Sequence, residues 1–192
     1  TAFMLVMATQ RRLVALSNLV RDGGWRTHIG HEYFGIDVHG KTLGIVGAGR
    51  IGAAIARRGA LGFGMPILYT AASSKPALEQ QLGAKRRELN DLLAEADIVC
   101  LSVPYNSDTH HLIDADALAR MKTTAALINI ARGKVVDEPA LIEALHSGGI
   151  RAAGLDVFVE EPLPPDSPLA AMDNVVTTPH IGSATHETRE AM

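Results

Sequence analysis

The chain has a single cysteine, Cys100, so no disulfide can form within it. Cys100 lies inside the apolar run "DIVCLSV", where a buried strand residue is the better reading than a nucleophile. A basic surplus is also missing. With a net charge of −3, nothing electrostatic favours nucleic acid or an anionic membrane. No run spans a bilayer: the opening "TAFMLVMAT" is too short and has no basic stretch before it. Internal repeats, heptads and low-complexity tracts are absent. These absences imply a cytoplasmic protein. The chain opens in mid-helix without an initiator Met, which suggests an excised piece of something longer. One last absence is local. Between Asp37 and Glu79 there is no acidic residue.

What is present is apolar and regularly spaced. At 47% hydrophobic, 192 residues suit one α/β domain with a substantial core. Residues 2–21 carry apolar side chains at helical spacing, ended by "RDGG", and a polar loop runs on to Gly40. Short β-branched runs then alternate with amphipathic stretches. The pattern predicts strands at 42–46, 67–70, 97–102, 125–130, 152–157 and 174–178, and helices near 50–62, 76–82, 89–95, 114–121 and 138–147. Asp137 as N-cap and Pro139 in the first turn mark the start of the last of these helices. Near-continuous apolar strands separated by helices specify a parallel sheet covered on both faces, here a Rossmann-like doubly wound α/β fold.

Gly47, Gly49 and Gly52 form G-x-G-x-x-G directly after a strand and at the start of a helix, the context that gives the pattern meaning. Gly47 permits the tight turn, Gly49 admits a pyrophosphate to the backbone, and Gly52 lets helix and strand pack closely. No Ser, Thr, Asp or Asn caps the helix, a gap that a phosphate on its free N–H groups would fill.

In such sheets ligands sit at the carboxyl ends of the strands. Arg132 follows the fourth predicted strand and precedes a flexible Gly133. Asp156, Glu160 and Glu161 follow the fifth, and His180, stiffened by Pro179, follows the sixth. A guanidinium, a carboxylate and an imidazole on one edge suit keto-acid chemistry. The cation holds a carboxylate and polarises a carbonyl. The imidazole exchanges a proton, and an adjacent carboxylate favours its charged form and fixes its orientation. His110 and His111 are adjacent and His28 and His31 lack partners at ligand spacing, so no metal site is expected.

Four stretches, "GKTLGIVGAGRIG", "NIARGKVVDEPALIEAL", "AAGLDVFVEEPLP" and "TPHIGSATHETR", stand in order at family separations. Through them the chain resembles the nucleotide-binding domain of the D-isomer-specific 2-hydroxyacid dehydrogenases, in particular their glyoxylate/hydroxypyruvate and 2-ketogluconate reductase branch. The resemblance implies NAD(P)H-dependent reduction of a small 2-keto acid to its D-2-hydroxy acid. It makes Arg132 the substrate binder, His180 the acid/base and Glu161, which directly precedes Pro162, its partner. Arg50 and Ile51 would cradle the pyrophosphate. Val103, Pro104, Thr109, Ile130, Ala131 and Asp156 would line the nicotinamide side, with Gly182 and Ser183 beside the same pocket. On this resemblance 1–36 is a preceding helix and loop that makes a homodimer contact, or else covers its own sheet. Residues 37–182 are the Rossmann core, and 183–192 begin a helix toward a missing segment. The family's second, substrate-binding domain is largely absent, so the fragment alone would bind a dinucleotide and catalyse poorly. The competing reading is a non-catalytic dinucleotide sensor or corepressor on the same fold.

The acid-free interval falls where dinucleotide folds carry an Asp or Glu for the ribose, about 20 residues past the glycines. Here stands "LYTAASSK". Ser73 and Ser74 offer hydrogen bonds and Lys75 a charge, so the loop favours NADP(H), with NAD(H) as the alternative. NADP-using relatives usually carry an Arg here, whereas this chain has Ala72 and Ser74.

Overall fold

In a computed structural model describing residues 1–192, seven parallel strands form one sheet flanked by helices. In chain order the elements begin with helices α1 (Ala2–Gln10) and α2 (Leu13–Arg21), then strand β1 (Leu43–Val46), helix α3 (Arg50–Phe63), β2 (Ile67–Thr70) and α4 (Pro76–Leu82). There follow β3 (Lys85–Arg86), α5 (Leu89–Glu95), β4 (Ile98–Leu101), α6 (Ala115–Arg120), β5 (Ala126–Asn129) and α7 (Glu138–His146). The chain ends with β6 (Ala152–Leu155), α8 (Pro168–Ala171), β7 (Val175–Thr177) and α9 (His186–Glu190). The strand order β3-β2-β1-β4-β5-β6-β7 reverses direction at β1, leaving a crevice between the carboxyl ends of β1 and β4.

Successive strand residues point to opposite faces, yet both kinds are apolar because both faces are covered. Ile45, Ile98, Cys100 and Ile128 pack with Leu5 and Val6 of α1 and with Ile55 and Ala56 of α3. Val46, Val99, Leu101 and Leu127 pack with Leu92 and Leu93 of α5, Leu118 of α6 and Leu141 of α7. Each fully buried Leu or Ile is worth about 1.5–3 kcal/mol. Cys100 is wholly buried, and that burial pushes its thiol up to about 12, so it is chemically inert. No helix is long and apolar enough to cross a membrane.

The structure corrects the sequence reading in three places. The predicted helix at 2–21 is two helices, broken at Arg12, which adopts a left-handed conformation (φ 52°, ψ 37°). The break allows a returning loop to use the end of α1: Ile36 N donates to Gln10 O at 2.9 Å, and the Arg12 guanidinium donates to Glu32 O. Apolar periodicity runs through the break and cannot reveal it. Of the two helices, α1 covers the sheet over β5 and β6, while α2 has no buried residue and exposes Leu13, Val14 and Val20. The second correction is β3, a two-residue edge strand that is too short and too charged to register in the sequence. Third, Gly133 is buried and held in place by close packing, so it is not a flexible joint.

Asp97 joins the two halves of the sheet at its amino end. Its carboxylate accepts from Thr42 N at 2.9 Å and from Lys122 Nζ at 2.8 Å. Burial raises its carboxyl, but Lys122 and the Thr42 N–H outweigh this and hold it below the usual carboxylate value of 3.8. The stabilisation is therefore fully present above the unfolded value and is lost as pH falls through the lower folded one. Asp97→Asn should cost about 1–2 kcal/mol at neutral pH. Urea midpoints of the two proteins should converge as pH falls below 3.8. A gap that stays constant would contradict this role.

Candidate active site

The glycine loop leaves the carboxyl end of β1, at the crevice. Gly47 has φ +97°, a left-handed region that L side chains avoid, and a Cβ there would lie 2.8 Å from Val103 N. A Cβ on Gly52 would lie 2.2 Å from Gly47 O, so α3 can approach β1 only at a glycine. At Gly49, by contrast, an added Cβ would meet nothing within 4 Å. The loop is packed shut on the protein side and open on the crevice side. No side chain caps the first N–H groups of α3, and Arg50 and Ile51 are exposed beside them. A pyrophosphate fits this cradle on backbone grounds alone: the room at Gly49, the free donors and the positive end of the α3 dipole coincide.

From there a cleft of about 910 Å³ runs across the carboxyl edge of the sheet. Its wall includes Gly49, Arg50 and Ile51 from the glycine loop and the start of α3, together with Val103, Pro104, Ile130 and Ala131. Arg132, Glu161 and His180 line the same cleft. These three leave different elements: Arg132 follows β5, Glu161 lies in the turn after β6, and His180 follows β7.

His180 Nδ1 and Glu161 Oε2 are 2.8 Å apart. An ionised carboxylate only accepts, so Nδ1 carries the proton and Nε2, which has no protein partner, is left available. The other Glu161 oxygen accepts from Phe158 N at 3.0 Å. Burial raises the Glu161 carboxyl, yet His180, the Phe158 N–H and the Arg132 charge together hold it below the usual 4.5. By sign, the pairing is intact above that value and is lost only as pH falls through the lower folded one. His180 itself is left-handed (φ +52°), a strained backbone held by the turn in which its N–H donates to Thr178 O.

Behind this edge lie residues that position it. Buried Asn129 accepts from Ala131 N and donates to Arg132 O, both at 3.0 Å, which fixes the turn presenting the guanidinium. Asp156 is also buried; its Oδ1 accepts from Thr178 Oγ1 at 2.6 Å and Ile181 N at 2.9 Å, pinning the loop that bears His180. Gly182 lies next to Asp156, and Ser183 continues that loop. Neither of these two nor Asp156 is on the cleft wall. Thr109 is off the wall too. Its hydroxyl donates to Pro104 O at 2.7 Å and accepts from Asn106 N at 2.8 Å, so it holds Pro104 from below.

Gly133 brings the Arg132 turn against the Glu161 turn. A Cβ there would fall 1.9 Å from the backbone of Phe158. Gly133→Ala should therefore destabilise the fold by about 1–3 kcal/mol. Gly49→Ala, into open space, should change stability by less than about 0.5 kcal/mol. Paired thermal melts test this, and equal shifts would refute the contact.

Sequence reading overlooked Ser102, Tyr105, Lys134 and Phe158, which share the cleft wall. Lys134 and Phe158 lie inside two of the quoted stretches and Tyr105 adjoins Pro104, so all three could have been found by position. Asn129 has a subtler signal, one amide in the apolar strand "AALINI". Ser73, Ser74 and Lys75 lie outside this cleft, on the loop after β2.

Comparison with known proteins agrees with this architecture. A family model described as D-isomer specific 2-hydroxyacid dehydrogenase, NAD binding domain, matches residues 3–182. The chain is 56% identical over its whole length to the glyoxylate/hydroxypyruvate reductase B of Escherichia fergusonii, covering 59% of that protein. It is 54% identical to the protein of the same name from Serratia proteamaculans, again covering 59% of it. Among solved structures, the TT0316 protein of Thermus thermophilus superposes with a TM-score of 0.92 at 46% identity, over 99% of this chain and 59% of that one. A D-lactate dehydrogenase from Aquifex aeolicus, complexed with NAD and lactic acid, gives 0.88 at 34% identity, over 98% and 60%. An acyclic imino acid reductase in complex with NADPH and D-Arg gives 0.88 at 31%, over 98% and 58%. The chain thus spans 59% of the length of the curated relatives it matches.

Proposed function

The chain belongs to the D-isomer specific 2-hydroxyacid dehydrogenase family, as its NAD binding domain, and from that premise we propose that it is the dinucleotide-binding part of a 2-keto acid reductase. The substrate is a small 2-keto acid such as glyoxylate, hydroxypyruvate or 2-ketogluconate, and the product is the D-2-hydroxy acid. The observation that carries this reading is the His180–Glu161 pair, 2.8 Å apart, on the same cleft as Arg132.

A nicotinamide dinucleotide, when bound, supplies the hydride. The cradle of Gly47, Gly49, Arg50, Ile51 and Gly52 holds its pyrophosphate. Arg132 holds the substrate carboxylate and polarises the carbonyl. His180 delivers a proton from Nε2 to the carbonyl oxygen, and Glu161 keeps the ring oriented and steadies the imidazolium before transfer. In the oxidative direction the imidazole takes the proton back.

NADP(H) is the preferred cofactor in this proposal, because the loop after β2 offers Ser73, Ser74 and Lys75 where an acid would repel a 2′-phosphate. The whole protein acts as a homodimer, with exposed α2 as the contact, and in the cytoplasm, consistent with the single, buried cysteine of these 192 residues. Sedimentation of the chain with and without Leu13→Asp tests the contact.

Oxidation of NADPH and NADH by the whole protein, assayed against the three acids in turn, tests the activity. A sensor would bind NADPH and oxidise it with none of them.

A further inference from the structure

The edge strand β3 ends on Arg86, in register with Tyr69 of β2, so this guanidinium starts at the carboxyl edge of the sheet. Arg86 is exposed and its Nη2 donates to Ala71 O at 3.0 Å, the carbonyl of the first residue after β2. It therefore overhangs the loop that lacks an acid.

That loop is internally braced. The buried Tyr69 hydroxyl donates to Glu79 Oε1 at 2.5 Å and accepts from Lys75 N at 2.8 Å. Ser74 Oγ donates to the same Glu79 oxygen at 3.1 Å. Two hydroxyls thus engage the nearest carboxylate from the α4 side. Lys75 Nζ reaches back to Ser73 Oγ at 3.2 Å. Two other arginines nearby are engaged elsewhere. Arg87 pairs with Glu95 at 2.8 Å, and Arg57 donates to Gln81 at 3.2 Å. Arg86 has no carboxylate partner, and only one corner of its fork is committed.

In dinucleotide folds the adenosine ribose lies just past the second strand. A phosphate on its 2′-oxygen would meet a planar, charged donor set at Arg86, with Lys75 and Ser73 beside it. We propose that Arg86 recognises the 2′-phosphate of NADP(H), so that a guanidinium from the sheet edge replaces the one the loop lacks. This rests on the dinucleotide-binding reading above and assigns its cofactor selectivity to one residue.

The test is calorimetric binding of NADPH, NADH, 2′,5′-ADP and 5′-AMP to residues 1–192 and to Arg86→Met, Arg86→Lys and Lys75→Met. Arg86→Met should weaken NADPH and 2′,5′-ADP about 10–100-fold and leave NADH and 5′-AMP nearly unchanged. Arg86→Lys should recover part of the loss, since it keeps charge without the fork. Thermal melts of each variant check that the fold persists. Equal weakening of all four ligands would make Arg86 a mere brace for Ala71 and overturn the proposal. So would a selectivity lost in Lys75→Met but kept in Arg86→Met. Wild-type protein that binds no dinucleotide overturns the parent reading and this one together. Wild-type binding with unchanged selectivity in Arg86→Met overturns this one alone.

Discussion

His180→Gln should lower kcat for keto-acid reduction by the whole protein about 10²–10⁴-fold, with dinucleotide affinity little changed. Gln keeps polarity and approximate bulk but cannot donate and regain a proton near neutrality. The effect is large because no other side chain in the cleft duplicates the geometry. Glu161 already bonds Nδ1, so Nε2 is the only ring nitrogen free to exchange a proton. Lys134 and Tyr105 share the cleft but lack such a carboxylate partner. Glu161→Gln should cost less, because it removes orientation and charge but leaves the acid itself. With its carboxyl held below 4.5, the pair should persist through mildly acidic pH. Steady-state kinetics and fluorescence titration of NADPH separate the two effects. A His180→Gln variant with near-normal kcat would remove the imidazole from the chemistry.

Arg132→Met should lower kcat/KM roughly 10²–10³-fold, in both KM for the keto acid and kcat. The two parts have different origins. Loss of the carboxylate grip weakens the ground state and the transition state alike, whereas loss of carbonyl polarisation is felt as negative charge develops on oxygen. Arg132→Lys should recover only a fraction, because a point charge cannot reproduce the bidentate fork. Asn129→Ala leaves the guanidinium in place but frees its turn. A similar but smaller loss is expected there, restored in part by Asn129→Ser. Initial rates across keto-acid concentrations give the split, and a pure kcat effect in Arg132→Met would contradict substrate binding by this residue.

The sheet was legible in the sequence because its strands are short, apolar and bounded by turn residues. The sequence reading placed six of the seven strands within one or two residues of their ends. β3 escaped because an edge strand of Lys85 and Arg86 buries nothing and so carries no hydrophobic signal. The break at Arg12 escaped for the opposite reason: apolar periodicity passes through it, and the loop that bonds to it at Ile36 is distant in sequence. Arg132, Glu161 and His180 could be gathered from the rule that ligands sit at strand ends. The rule does not show that Asp156 and Thr109 lie behind the wall, holding loops. Gly133 shows the same limit: sequence marks a glycine, and only packing shows why a Cβ is forbidden there.

The loop after β2 shows what the fold adds to the sequence. Its composition lacks the acid of NAD-type ribose binding, and the guanidinium proposed to stand in for a loop Arg comes from a strand that carries no hydrophobic signal in the sequence. On that proposal, selectivity for a phosphate would reside outside the loop itself.

The most direct test of the account follows deuterium from [4-²H]NADPH during reduction of glyoxylate, hydroxypyruvate or 2-ketogluconate by the whole protein. The account predicts a product labelled at C2, in the D configuration where C2 is a stereocentre, formed by wild type and suppressed in His180→Gln. Tight binding of NADPH with no label in any of the three products would contradict it.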